Sequence, residues 1–411
     1  MTDTAVLLDR RTMTLRRRFP SVADLEGAAR RKIPRFALDY LEGGTGSEIA
    51  ITRNRSSIDS IEIIPRYGKP VSRIASAIEL FGRFYAAPIG VAPVGLGGLI
   101  RPGAEQILAS AAQKARLPYV LSTFATASIE EIAKVAPDVF WFQLYAFQPE
   151  PFDVTGDLVR RAHAAGAHVL VVTLDVPLAA RRSRDMRNGL DQSFRPGAQA
   201  LLDIARRPNW AFDILRRGRP RFANFDAYKG AGRGAGGQKS SAFVSTHFNW
   251  DDIAKLRELW PRALVVKGLL HPIDAECALS VGVDGIIVSN HGGRQFDASP
   301  AAIDALPAIV AAVGDRSTLM FDSGIRSGLD ILRALALGAK STFAGRPFLA
   351  SVAALGPEGG AYIMDMLQEE FRTALGQAGL VSPEEARICA ASSKGVRTAV
   401  ARSGPCDMIN V

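Results

Sequence analysis

The feature that most constrains this chain is a repeat: a short apolar, β-branched run followed by a helical pattern, met eight times. The runs fall at 88–92, 119–122, 139–144, 169–173, 263–267, 285–289, 318–322 and 341–344. Such alternation is the mark of parallel strands joined by crossover helices. Most intervals are about twenty to thirty-five residues, room for one strand and one helix. Length alone does not choose between one large barrel and two ordinary domains; eight consecutive units do. They predict an α/β fold, a (β/α)8 TIM barrel, with 1–411 as a single domain. The exception is the gap after the fourth strand, which holds a long insertion over 190–246. Residues 19–64 precede the barrel and are expected to form short helices closing its bottom or flank.

Hydrophobic residues make up 47% and charged residues 22%, the balance of a globular enzyme rather than a disordered chain. No stretch approaches the roughly 20 apolar residues of a spanning helix, and the N-terminal arginines precede no apolar signal-peptide core. The three cysteines, Cys277, Cys389 and Cys406, lack metal-ligand spacing, so reduced thiols and no metal are expected. The net charge of +9 is uneven. The insertion carries ten Lys/Arg against four Asp/Glu, with Trp210, Phe212, Ile214, Leu215, Phe222 and Phe225 among the arginines and a glycine-rich run over 230–237. Nucleic acid is one partner such charge could serve, but no stacking array or binding module accompanies it. A mobile lid and a membrane-surface segment remain as readings.

In a barrel of this kind the chemistry sits at the C-terminal strand ends. The loop after the seventh strand reads Asp322-Ser323-Gly324-Ile325-Arg326-Ser327-Gly328, and that after the eighth Gly345-Arg346-Pro347. Two Gly/Arg loops on the last two strands suit a phosphate, whose oxygens take backbone N–H groups and forked donors. The sixth strand ends in Ser289-Asn290-His291-Gly292-Gly293-Arg294-Gln295. That run delivers a base and a cation to one pocket, which suits an anionic substrate that must lose a proton. After the fourth strand, Asp175 can fix the tautomer of a nearby His. One of Arg181 and Arg182 can face Arg294 across a carboxylate, the other being a solvated loop residue.

These runs, with Asp39-Tyr40, Ala92-Pro93-Val94-Gly95, Leu121-Ser122-Thr123, Phe142-Gln143-Leu144-Tyr145, Thr173-Leu174-Asp175 and Val266-Lys267-Gly268, resemble the FMN-dependent 2-hydroxy acid oxidase/dehydrogenase family. Glycolate oxidase, L-lactate dehydrogenase and (S)-mandelate dehydrogenase are members. The resemblance spans about 19–375 in the right order. It implies that His291 is the base, Asp175 its orienting carboxylate, and that Tyr40 and Tyr145 reach the carboxylate and reacting oxygen. It implies that Arg182 and Arg294 clamp the carboxylate and Phe124 faces the side chain. For FMN it implies a ring site of Pro93, Val94, Gly95, Ser122, Gln143, Thr173, Ser289 and Lys267, the lysine near N1. The ribityl and phosphate fall to Asp322, Gly324, Arg326, Gly345 and Arg346.

Two departures bear on specificity. Val94 and Gly95 stand where oxidases of the family have Thr and Ala, and the glycine fits its dehydrogenase side. Phe124 stands where glycolate oxidase has Trp, so the side-chain pocket differs. The expectation is therefore an L-2-hydroxy acid dehydrogenase, lactate- or mandelate-like, passing electrons to a quinone. A soluble oxidase using O2 is the alternative, and a non-redox FMN isomerase a distant one, disfavoured by a clamp built for one carboxylate. The resemblance further implies a homo-oligomer, a tetramer, in the cytoplasm and peripheral on the inner face of the cell membrane through 190–246.

Overall fold

A computed structural model describes residues 10–389, except 69, 148–152, 191–196, 227 and 229–247; the glycine-rich run and Cys406 lie outside the described residues. Eight parallel strands close into a barrel: Ile89–Val91, Tyr119–Ser122, Phe140–Leu144, Val169–Thr173, Ala263–Leu269, Gly285–Val288, Thr318–Phe321 and Ser341–Ala344. Each predicted run supplies one. Their residues are buried almost throughout, because helices cover the outer face while Trp141, Met320 and Phe343 fill the inside.

The register places polar strand ends side by side. Ser122 pairs with Gln143 and Thr173 with Lys267, so four side chains ring one rim. The pairing of the fifth and sixth strands shifts between Lys267 and Leu269. Gly268 sits at that irregularity with φ +106°, and a Cβ there would lie 2.6 Å from Asp175. Glycine is needed so that the Asp175 carboxylate can approach the strand.

Helices Arg10–Arg18, Val22–Lys32, Arg35–Glu42 and Ile49–Asp59 precede the barrel. A capping box at Ser21 and Asp24 starts the second, which packs along helix Arg346–Leu355 on the flank. The third helix reaches the C-terminal rim of the barrel, where Tyr40 meets Gly95 and Arg294, rather than the bottom. The bottom is closed by a hairpin, Ile78–Leu80 with Arg83–Tyr85. Its Phe81 meets Trp141 edge-on at 5.8 Å, and Tyr85 accepts from Trp141 Nε1 at 2.9 Å. Among the described residues no helix is long and apolar enough to cross a membrane.

Candidate active site

The loop after the sixth strand is held in an unusual shape. His291, Gly292 and Gly293 have φ of 58°, 63° and 75°. The glycines adopt this freely; the histidine does so at a cost of order 1–3 kcal/mol. Surrounding bonds impose it. Asn290 exchanges two 2.8 Å bonds with Asn54 and accepts from Gly293 N–H at 3.2 Å. Ser289 Oγ accepts from His291 N–H at 3.0 Å and Ser323 Oγ from Gly292 N–H at 3.0 Å.

This shape aims the imidazole at Asp175. His291 Nδ1 lies 2.8 Å from Asp175 Oδ1, so Nδ1 carries the proton and donates. Nε2 then keeps its lone pair and faces Tyr145 Oη at 3.4 Å. Burial pushes the His291 pKa down, only partly opposed by Asp175, so the ring is neutral at neutral pH. Burial alone would raise Asp175, but His291 and then Lys267 hold it below the usual carboxylate range. Lys267 is itself buried, bonded to Ser289 Oγ at 2.8 Å and to Asp322 Oδ2 at 3.1 Å. Its burial opposes the charge, yet Asp322 and Asp175 outweigh it and raise the pKa.

Two cations stand on the other side of the cavity. Arg294 Nη1 donates to Tyr40 O at 2.8 Å and Gly43 O at 2.6 Å, with its guanidinium 5.0 Å from the Tyr40 ring centre. Arg182 donates to Arg294 O at 3.3 Å and Gln295 Oε1 at 3.1 Å. Arg181 is exposed; of the pair, Arg182 turns inward. Tyr40 Oη donates to Gly95 O at 2.9 Å. Burial, with Arg182 beside it, pulls Arg294 down to about 10, which still leaves it charged. Asp185, a residue no motif singled out, lies 3.7 Å from Arg182 and lines the same cavity. It is the local counter-charge to both arginines, and in the sequence it reads as one acid in a basic loop.

The cavity measures about 580 Å³. Its wall includes Pro93, Val94, Gly95, Ser122, Thr173 and Lys267 at one end, and Asp322, Gly324, Arg326, Gly345 and Arg346 at the other. Gln143 and Ser289 sit behind the first group, bonded to Ser122 Oγ at 3.1 Å and to Lys267 respectively. Two groups in this rim, Gln143 Nε2 and Thr173 Oγ1, are buried without a partner among the described residues. An unmade bond of that kind costs about 1–3 kcal/mol, which a polar ring edge bound here would remove. At the far end, helix Arg346–Leu355 starts at Gly345 with no side-chain cap, leaving first-turn N–H groups for a phosphate. A Cβ at Gly345 would come within 2.9 Å of Val94, so glycine keeps this cradle open. Burial, then Arg294 and Arg326, push Arg346 well below its ordinary pKa: positive charge here exceeds what the protein compensates. The donor set fits FMN. The Arg346 guanidinium itself is spent on the carbonyls of Leu41, Gly43 and Gly292, and Arg326 pairs with Glu26 at 2.9 Å.

The described part of the insertion fits the expected membrane-surface segment only in part. Helices Ala198–Ala205 and Pro208–Arg217 expose Leu201, Leu202, Phe212 and Leu215, the last at 83%. Trp210 is buried instead and donates to Leu99 O at 3.1 Å; Phe225 is buried too. Phe222 and Ile214 pack against the core, and Phe222 lines the active-site cavity. Only two of the six apolar residues expected at a membrane are exposed, because the others meet the rims of the first and second strand loops.

Residues 29–390 match the FMN-dependent dehydrogenase family. An L-lactate dehydrogenase of Caulobacter vibrioides is 38% identical over 365 residues, 88% of this chain and 94% of the relative. That of Pseudomonas syringae pv. syringae is 38% identical over 370 residues, covering 89% and 96%. Among solved structures, the monotopic membrane protein (S)-mandelate dehydrogenase superposes with a TM-score of 0.85 at 34% identity, covering 89% of this chain and 97% of that one. A mandelate oxidase gives 0.77 at 38% identity, covering 90% and 97%.

Proposed function

The chain belongs to the FMN-dependent dehydrogenase family, and from that premise we propose that it oxidises an L-2-hydroxy acid to the 2-oxo acid. The observation that carries this is a neutral imidazole, oriented by Asp175 at 2.8 Å, opening on the same cavity as two converging arginines. Arg182 and Arg294 hold the carboxylate and Tyr40 and Tyr145 add hydroxyl donors. His291 Nε2 accepts the proton that the alcohol loses, and Asp175 stabilises the resulting imidazolium. Bound FMN would supply the acceptor for the α-hydrogen and the two electrons that leave with it. Lys267 holds positive charge at the ring's end of the cavity, where negative charge develops.

The pH dependence follows from the base. His291 must be unprotonated, so activity is present above its pKa and is lost as pH falls through it. Since burial depresses that pKa, the acid limb of kcat/KM falls below about 6.5, the ordinary imidazole value. In Asp175→Asn the carboxylate that raises it is gone, so kcat drops and the limb moves to still lower pH. A dye-coupled pH profile of both proteins checks this; an unmoved limb would remove His291 from the role of base.

The electron acceptor we propose is a membrane quinone, reached by peripheral binding through the two insertion helices; a homotetramer is the accompanying expectation. Leu201, Leu202, Phe212 and Leu215 are exposed at 54%, 54%, 64% and 83%, with Arg206, Arg216 and Arg217 beside them. Apolar burial and attraction to anionic lipid act together on such a face. Changing the four to serine should abolish pelleting with anionic liposomes while dye turnover persists, because none of them lines the cavity. An intact protein that ignores such liposomes at low salt would leave O2 or a soluble carrier as acceptor.

A further inference from the structure

Besides docking through Trp210 on Leu99, the insertion returns to the barrel at residues 222–225. Phe222 lines the cavity and meets Phe124 edge-on, with centroids 5.4 Å apart. Phe225 is buried and stacks on Phe124 at 5.6 Å, the planes 22° apart. Tyr145 lies 5.3 Å from the Phe124 ring, and Phe147 backs both Phe124 and Phe225 at 6.0 and 5.4 Å.

A fully buried amide fixes this group. Asn224 Oδ1 accepts from Ile129 N–H at 2.9 Å, and its Nδ2 donates to Thr123 O at 3.1 Å and Ser122 O at 3.4 Å. Ala223 N–H donates to Ala125 O at 3.2 Å. The run is thus stitched onto the loop after the second strand, the loop that presents Phe124 beside Gly95, whose missing side chain would have stood 3.2 Å from Phe124 Cβ. The catalytic histidine, the arginines and Tyr145 fix one end of the cavity; aromatic rings wall the space beyond Gly95.

We infer that residues 222–225 form the specificity wall of the active site and select 2-hydroxy acids whose α-carbon bears a planar aromatic ring. The inference rests on the 2-hydroxy acid reading above and adds the side-chain class. Aromatic rings prefer edge-to-face and offset contacts, which Phe124, Tyr145 and Phe222 offer together from a rigid support. A methyl group in the same place would leave those rings without contacting atoms, and lost contact is lost transition-state binding. Phe222 is therefore a specificity residue, and Asn224 a positioning residue that acts through Phe124.

The test measures kcat/KM on the FMN-loaded, full-length protein with (S)-mandelate and with L-lactate, by reduction of a soluble dye. The wild type should favour mandelate by about 100-fold or more. Phe222→Ala should lose roughly tenfold on mandelate and less than about threefold on lactate. Phe222→Leu, which keeps bulk but not the ring, should fall between. Asn224→Ala should lower the ratio with the FMN content unchanged. A wild type that favours lactate, or a Phe222→Ala variant that loses both substrates equally, would overturn the wall while leaving 2-hydroxy acid oxidation intact. Turnover of neither acid, nor of any other 2-hydroxy acid, would instead overturn the reading on which it rests.

Discussion

His291→Ala is expected to bind FMN normally and to lose about 100- to 10,000-fold in turnover, the worth of a positioned general base. The two halves of this expectation have separate structural grounds. The phosphate end of the cavity is built from Gly324, Gly345 and the start of helix Arg346–Leu355, and none of these depends on the imidazole. The backbone bond from residue 291 N–H to Ser289 Oγ survives the change. Alanine keeps the Cβ, so the left-handed backbone is no more strained than before. Asp175 loses its partner but retains the nearby charge of Lys267. Visible absorbance gives FMN content and dye reduction gives rate. Near-full activity would exclude His291 as the base; loss of FMN together with activity would show that the loop, rather than the proton acceptor, had been damaged.

The second large effect is expected from the clamp. Arg294→Met and Arg182→Met should each cost roughly 1.5–3 kcal/mol in kcat/KM, about 10- to 150-fold, by removing a charge-assisted contact to the carboxylate. Arg294 should be the more damaging. It also ties Tyr40 O and Gly43 O to the rim, so its loss frees the helix that presents the Tyr40 hydroxyl. Arg182 makes longer bonds, 3.3 and 3.1 Å, to groups that Arg294 and Gln295 already hold. Kinetics with a carboxylate substrate and with its amide separate charge from shape: the amide should be nearly indifferent to both changes. Unchanged carboxylate kinetics in both variants would remove the clamp.

What was legible in the sequence follows from how each residue is presented. His291, Asp175 and Arg294 follow strand ends, and a barrel sends all such ends to one rim, so period and polarity together find them. Tyr40 lies on a helix outside the repeat; no periodicity says that Arg35–Glu42 crosses to the rim, and only the resemblance pointed there. The bottom hairpin has strands of three residues each, too short for an alternating pattern to declare itself. Asp185 was hidden by its neighbours, being one acid among the arginines of an exposed-looking loop. The insertion was legible only in part, for a physical reason: basic and aromatic residues in one segment suit a lipid surface, yet Trp210 and Phe225 have buried partners in Leu99 O and Phe124. Composition reports that a segment can bury apolar area, not against what.

The central claim is that this cavity removes two electrons and two protons from a 2-hydroxy acid, one of the protons passing to His291. It is tested most directly by mixing the yellow, FMN-loaded protein anaerobically with (S)-mandelate, L-lactate and glycolate in turn and following the flavin band. The account predicts bleaching with at least one of the first two, one equivalent of 2-oxo acid per flavin, and no bleaching by that acid in His291→Ala on the same timescale. A flavin band that stays oxidised with every 2-hydroxy acid, in protein whose FMN is fully bound, would contradict it.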